Sequence, residues 1–199
     1  MLQIPKEEIE KIKKIKGEII GSTFLEDVQL IFEKEGKEGL PKLEAEMKKL
    51  GYPLKFKEIK TFQWYPFYLY LLVLLIYRNL FQWEDEVFRE TGRFGAKVSI
   101  FTRIIMKYFV SLKLVCEETG RLWQKYMTTG ELKAEELNER EHYVVLTVRN
   151  FTSHPLYCLI LEGYFWQVSS YVLPKEKLKV QEIECIFRGG EVHKFKITW

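Results

Sequence analysis

Three side chains near the C-terminus are of types that bind metal ions: Glu182, Cys185 and His193, in the segment QEIECIFRGGEVHKFKITW. The segment alternates in two runs about Gly189-Gly190, which predicts a β-hairpin. A two-residue turn at this pair would point Cys185 and His193 to opposite faces. A three-residue loop that also includes Arg188 would place them opposite each other on one face. The sequence permits both turns.

A fourth candidate ligand is Cys158, near the start of a predicted helix that could dock on the hairpin. Glu182 lies at an odd spacing before Cys185, so it could join the set only through strand twist or a β-bulge. Together with His193 these residues would form a set of two sulfurs, one nitrogen and one oxygen, which suits Zn²⁺. The alternative, which spacing alone favours, is a pair of small buried thiols beside a surface Glu and a surface His.

The elements that must position these residues predict an α+β fold, with N-terminal helices packed on a C-terminal antiparallel sheet that includes the terminal hairpin. The chain is taken as a single domain over residues 1–199. We divide it into a helical N-terminal extension (1–16), a mainly helical layer (17–135) and a strand-helix-hairpin segment (136–199). The strand is predicted at HYVVLTVRNF, and the following helix at HPLYCLILEGYFWQVSSYV.

Aromatic residues of the helical layer are candidates for a ligand-binding wall. The segment FGAKVSIFTRIIMKYFVSLK repeats apolar residues at spacings of three and four, which predicts one continuous helix with an aromatic face. Such walls suit a mostly apolar ligand with one or two polar anchors, although each ring could instead fill the core. The candidate residues are Trp64, Tyr68, Phe101, Tyr108, Trp123 and Tyr126.

Composition restricts the remaining function classes. A formal net charge of +3 is too small for nucleic acid to be the expected partner. The apolar run FQWYPFYLYLLVLLIY is too short to span a membrane, so a buried helix is predicted and membrane contact is not favoured. Three cysteines and no secretion signal predict a cytoplasmic protein with reduced thiols. No catalytic triad, phosphate loop or acid-base carboxylate pair is evident, so no enzymatic activity is expected.

The C-terminal motifs ECIFRGGEVHKFKI and LYCLILEGYF resemble the 4-vinyl reductase-like domain, which is related to heme-nitric-oxide-binding and Golgi transport-particle domains. The resemblance implies a structural zinc held by Cys158, Glu182, Cys185 and His193, with His where relatives carry a third Cys. Relatives bind heme or other hydrophobic small molecules, or serve as scaffolds. No heme is expected here, because none of the three histidines falls on the long central helices.

These observations predict a non-enzymatic sensor-type module that binds a small hydrophobic or aromatic molecule and signals to an unknown protein partner. The chain has no recognisable output domain, so a signal would have to leave through a surface contact. The alternative is a scaffold or dimerisation module with a vestigial cavity. A homodimer is therefore also among the expected assemblies.

Overall fold

The computed structural model of the protein describes residues 4–106 and 111–199. Most of the N-terminal part is helical, with two short strands that pair antiparallel. Its elements are α1 (Lys6–Lys13), β1 (Glu18–Ile20), α2 (Gly21–Glu35), α3 (Gly39–Lys49), β2 (Trp64–Pro66), α4 (Phe67–Leu80), α5 (Asp85–Val98), α6 (Ile100–Met106) and α7 (Leu112–Tyr126).

The C-terminal part is an antiparallel sheet with one long helix against it. Its elements are β3 (Glu131–Asn138), β4 (Tyr143–Arg149), α8 (Pro155–Ser169), β5 (Lys179–Glu184) and β6 (His193–Thr198). The four strands lie in the order β3-β4-β6-β5. The central strands bury alternate side chains, including Val144, Leu146, Phe195 and Ile197, against the helices. The predicted α+β class, with helices on an antiparallel sheet, is confirmed.

The terminal hairpin has a longer connection than either predicted turn. β5 ends at Glu184 and β6 begins at His193, and a short 3₁₀ helix (Ile186–Arg188) lies between them. Gly189 then adopts a left-handed conformation at φ 87°. The ladder also shifts register between Glu182 and Glu184, so β5 contains an irregularity of the β-bulge type. The connection is therefore longer than either predicted turn. The pairing of Glu184 with Lys194 nevertheless keeps the register predicted for the three-residue loop, which sets Cys185 opposite His193. The irregularity lies where Glu182 needed one.

The apolar run of the sequence forms α4, which is buried on nearly every side. Its residues from Tyr70 to Tyr77 are at most 2% exposed. Pro66 precedes the helix and needs no backbone hydrogen-bond donor there. Within the described residues, no helix is both long enough and apolar enough to cross a membrane.

The helix predicted through FGAKVSIFTRIIMKYFVSLK is interrupted. α5 ends at Val98, and Ser99 has an extended ψ of 128° before α6 begins at Ile100. The prediction of one continuous aromatic face is therefore wrong, because Phe94 and Phe101 lie on separate helices. The hydroxyl of Ser99 hydrogen-bonds to Tyr126 at this break. Tyr108 lies outside the described residues.

Candidate functional site

The four predicted metal-binding residues meet in one cluster. Cys158 lies in the first turns of α8, Glu182 lies beside the irregularity of β5, Cys185 follows that strand, and His193 begins β6. All four residues are buried, and one potential ligand atom from each lies within 4.8 Å of the others. The packing of α8 on the sheet thus brings together residues separated by up to 35 positions.

Hydrogen bonds connect the members of this cluster. Nδ1 of His193 lies 2.8 Å from Oε1 of Glu182 and 3.6 Å from Sγ of Cys158. Arg188 donates to Oε2 of Glu182 at 3.0 Å and to its backbone carbonyl at 3.1 Å. Both oxygens of this buried carboxylate are therefore paired. His193 Nε2 is a buried atom without a partner among the described residues.

The two cluster thiols are electrostatically disfavoured as thiolates. Burial raises the pKa of Cys158, and the nearby Glu182 and Cys185 raise it further. Burial also raises the pKa of Cys185. Without a bound cation, the arrangement keeps both sulfurs protonated. A metal ion would have to displace those protons, and four protein ligands would leave it no open position for a substrate.

A second feature is a cavity of about 90 Å³ between α2, α5, α7, α8 and the inner face of the sheet. Its wall is mostly apolar, with side chains from helices and strands alike. These include Val115, Leu122, Val144, Leu146, Ile160 and Val168. Such a cavity can hold a small molecule by contact with its apolar surface.

Close packing of α5 on α8 forms one side of the cavity. A Cβ atom on Gly92 would lie 2.0 Å from the carbonyl oxygen of Ile160, and one on Gly163 would lie 1.8 Å from that of Arg89. The two helix backbones therefore touch at positions that only glycine allows. Gly95, one turn along α5, has no such close neighbour and leaves space for Glu26.

Polar groups of the cavity wall gather near α2. Asp27 is fully buried and accepts hydrogen bonds from Tyr70 at 3.0 Å and from Tyr77 at 3.1 Å. Glu26 also lines the cavity, and its Oε1 is buried without a hydrogen-bond partner among the described residues. The preceding turn adds Thr23, whose hydroxyl is buried and unpaired in the same way.

Burial makes both carboxyl groups unusually weak acids. It raises the pKa of Glu26 to about 8, with a further contribution from the neighbouring Asp27 and partial opposition from nearby serine hydroxyls. Burial raises the pKa of Asp27 to about 7, although its two tyrosine hydrogen bonds act in the opposite direction. Near neutral pH, a ligand can therefore change the protonation of either group.

A hydroxyl network lies on another part of the wall. Thr102 lies 2.9 Å from the Tyr126 hydroxyl and 3.1 Å from the Tyr164 hydroxyl. Ser99 also bonds to Tyr126. The hydroxyl groups of this network hydrogen-bond to one another, whereas Oε1 of Glu26 has no such partner among the described residues.

The predicted aromatic wall is only partly assembled. Trp123 and Tyr126 line the cavity, and their part in ligand binding stays a prediction. Trp64, Tyr68 and Phe101 are not among the described residues on its wall. Tyr68 packs on Tyr52, and Phe101 packs between Phe62 and Tyr126. Trp64 belongs to β2, where it pairs with Ile20. The structure therefore places these three residues away from the cavity wall: Trp64 lies on β2 rather than on α4, Tyr68 faces Tyr52, and the break at Ser99 puts Phe101 on α6.

The sequence interpretation missed the two acids and the two crossing glycines. Glu26 and Asp27 follow Phe24-Leu25 in an otherwise ordinary amphipathic helix, where charged residues are normally assigned to solvent. A signal was available in the helical phase, because Asp27 lies three residues after Phe24 and three before Leu30, which are both buried. Gly92 and Gly163 are isolated glycines within helical patterns, which is a weaker signal of close packing between helices.

Solved structures that share this fold are H-NOX proteins. One from S. oneidensis, in its Fe(II)NO ligation state, gives a TM-score of 0.66 at 13% identity and covers 90% of this chain and 98% of its own. Unliganded Fe(II) H-NOX from K. algicida gives 0.63 at 13% identity, covering 90% and 96%. A structure described as modulating heme redox potential through porphyrin distortion gives 0.59 at 16% identity, covering 91% and 100%.

No protein-family model matches the chain, and no curated protein matches it. The structural similarity shows an H-NOX-like fold, which confirms the predicted relation to heme-nitric-oxide-binding domains at the level of fold. The relation to the 4-vinyl reductase-like domain stays a prediction. The cofactor prediction, zinc and no heme, is wrong on this comparison, because a similar structure is described by its heme and porphyrin. The four residues of the cluster lie together, whereas the similar structure is described with heme.

Heme nevertheless does not fit the residues of the cavity as they are arranged. Pockets for drug-sized ligands measure roughly 300–1,000 Å³, and this cavity measures about 90 Å³. None of the described residues on its wall is a histidine. Cys116 lies there, but burial and the nearby Glu117 and Glu139 raise its pKa to about 11, which disfavours a thiolate ligand.

Proposed function

We propose that the protein is a non-enzymatic module that binds a small molecule in the cavity and transmits the bound state to a protein partner. The observation that carries the proposal is the mostly apolar cavity at the junction between helices and sheet. The similar folds give it support, because one of them is described with NO as a ligand. Small-molecule binding is thus the function that this geometry serves best.

The size of the cavity restricts the ligand. The available space of about 90 Å³ exceeds the roughly 10–15 Å³ that a single water-sized molecule needs. An engineered cavity that binds benzene is larger, at about 150 Å³. A compact apolar molecule or a short chain therefore fits without rearrangement, whereas an aromatic ring requires the walls to move.

The groups on the wall support binding rather than catalysis. A catalytic nucleophile needs an adjacent base or a lowered pKa. Cys116 has a raised pKa, and the hydroxyls of Tyr126 and Tyr164 are engaged with Thr102. The proposed role therefore requires only that the ligand change the stability or position of the surrounding helices.

Xenon provides a direct test, because it binds dry apolar cavities without specific polar contacts. Saturable xenon binding can be followed by NMR in the unmodified chain and in Val144→Leu, which adds one methylene group to the cavity wall. Val148→Leu is the matched control, since Val148 is buried on the same strand but is not among the described wall residues. We expect Val144→Leu alone to weaken xenon binding. Equal binding by all three proteins would contradict the proposal.

A scaffold role is the second candidate, and exposed apolar side chains favour it. Phe62 is 65% exposed, Ile100 is 48% exposed and Ile104 is 51% exposed. Phe62 also contacts Phe101, so this surface joins α6 to the loop before β2. Sedimentation of Phe62→Ser tests this role. Loss of a dimer that forms equally well in Val144→Leu would favour a scaffold over a sensor.

A further inference from the structure

We infer that the cavity recognises a small molecule carrying a protonated amine, which pairs with Glu26. This inference rests on the proposed function, because it assigns the polar group of the ligand in the same cavity. The geometric basis is the carboxylate oxygen Oε1 of Glu26, which is buried and forms no hydrogen bond with a described residue, although the hydroxyls of Ser22 and Ser99 lie close to this carboxyl group. Buried polar atoms are rarely left in this state.

The hydroxyls of Ser22 and Ser99 lie near Glu26 and oppose the rise in its pKa, but neither forms a hydrogen bond to Oε1. Asp27 is an acceptor already occupied by Tyr70 and Tyr77. The Tyr126 hydroxyl is engaged with Ser99 and Thr102. Thr23 does not bond to Glu26 either, and its own hydroxyl is unpaired. A ligand that donates several hydrogen bonds would therefore satisfy two wall groups at once.

The charge of the wall favours a cationic donor. The ionisable groups among the described wall residues are acids, a thiol and phenols, and no Lys, Arg or His is present. A primary ammonium group brings three donors and one positive charge. Its hydrogen bond to a carboxylate is stronger than that of a neutral alcohol. The apolar remainder of the cavity then fits a short alkyl chain.

Binding should also release a proton. Burial raises the pKa of Glu26 to about 8, so the ligand-free carboxyl is largely protonated at pH 7. Pairing with an ammonium group favours the carboxylate, and the displaced proton leaves to the buffer while the amine keeps its own. Affinity for the amine should therefore increase as the pH rises from 6 to 8.

Other titratable groups lie around Glu26 and must be distinguished from it. Asp27 lies on the same helix, α2. Cys116, Glu118 and Tyr126 reach the cavity from α7. Tyr70 reaches it from α4, and Tyr157 and Tyr164 reach it from α8. Among these, Asp27 has a pKa of about 7, so it titrates in the same pH range as Glu26. The Glu26→Gln variant isolates the contribution of Glu26.

The experiment compares n-propylamine with n-propanol, which has the same chain and no charge. Calorimetric titrations in buffers of different ionisation enthalpy measure both affinity and proton release. For the unmodified chain at pH 7, we expect tighter binding of the amine and release of most of one proton. Glu26→Gln should weaken amine binding at least tenfold and abolish the release, while propanol binding changes less than threefold.

Glu33→Gln is the matched control, because Glu33 lies on the same helix but is exposed and pairs with Gln29. It should leave both ligands unaffected. Equal affinity for amine and alcohol, or amine binding that is insensitive to Glu26→Gln, would overturn the amine assignment. If xenon still binds in that case, the cavity proposal survives. Failure of xenon, propanol and propylamine alike would instead overturn the proposed function itself.

Discussion

The Cys158 cluster and the cavity both use residues of α8, but they treat buried charge in opposite ways. In the cluster, Glu182 is paired through both oxygens, with His193 on one and Arg188 on the other. In the cavity, Glu26 keeps one oxygen unpaired beside open space. The difference separates two uses of a buried carboxyl group. One connects elements of the fold, and the other is available to a ligand.

Energetics explains why both arrangements can coexist. Leaving a buried acceptor unsatisfied costs about 1–3 kcal/mol, whereas a satisfied hydrogen bond contributes about 1 kcal/mol net. Protonation reduces the cost for Glu26, because a neutral carboxyl is easier to bury than a carboxylate. The protein thus tolerates an unpaired acid near neutral pH.

The pH dependence of stability should differ between the unmodified chain and Asp27→Asn. The pKa of Asp27 is about 7 in the folded state against 3.8 ordinarily, so the folded state binds more protons between these values. The resulting contribution of Asp27 to the free energy of unfolding is fully present below pH 4, and it is lost as the pH rises through 7. By linkage the loss is on the order of 4 kcal/mol.

Urea unfolding at several pH values between 4 and 8.5 measures this effect. Asp27→Asn should gain stability relative to the unmodified chain as the pH rises, and Glu26→Gln should do so up to about pH 8. Glu33→Gln controls for surface charge. Parallel pH profiles for the unmodified chain and Asp27→Asn would contradict the prediction.

Gly92→Ala should separate α5 from α8 and destabilise the fold by about 3 kcal/mol. Its added Cβ would lie 2.0 Å from a backbone oxygen that cannot move independently. The melting temperature should fall by about 6–12 °C. Gly95→Ala is the control on the same helix, since its Cβ meets only the end of Glu26 at 3.5 Å. Similar melting temperatures for the two variants would show that the helices can adjust.

Glu182→Gln should cost about 1–3 kcal/mol, because it weakens a buried acceptor bonded to His193 and Arg188. Glu184→Gln is its control on the same strand. Its pair with Lys194 is only half-buried, and a glutamine oxygen can still accept from the backbone of Glu191 and Val192, so we expect a cost below about 1 kcal/mol. Denaturant midpoints measure both. Equal effects would mean that the cluster does not contribute more than an ordinary surface pair.

Trp64→Phe should have the smallest effect, because Trp64 belongs to neither region. We expect a change below about 1 kcal/mol in the free energy of unfolding and unchanged xenon binding. Thermal melts and the same NMR titration check this. A large loss of binding would restore Trp64 to the ligand wall, against its position on β2.

Much of the fold follows from local patterns, and so does the membership of the cluster. Alternation predicts β4 and β6, and the distinctive residue types Cys, Glu and His identify the cluster before its geometry is known. The cavity was harder to predict, since it depends on how α5 crosses α8. The regular helical pattern breaks at Ser99, whose hydroxyl bonds to Tyr126, far away in sequence. Such a tertiary contact leaves no periodic signal.

The contact between α5 and α8 also bears on how fast a ligand can exchange. With carbonyl oxygens occupying the space above Gly92 and Gly163, this side of the cavity has no gap through which a molecule could pass. The pair should move as one rigid body, so transient opening must come from displacement of α2 or α7. Residence time would then be set by those two helices, and a substitution that loosens α7 should shorten it even where equilibrium contacts with the ligand are retained.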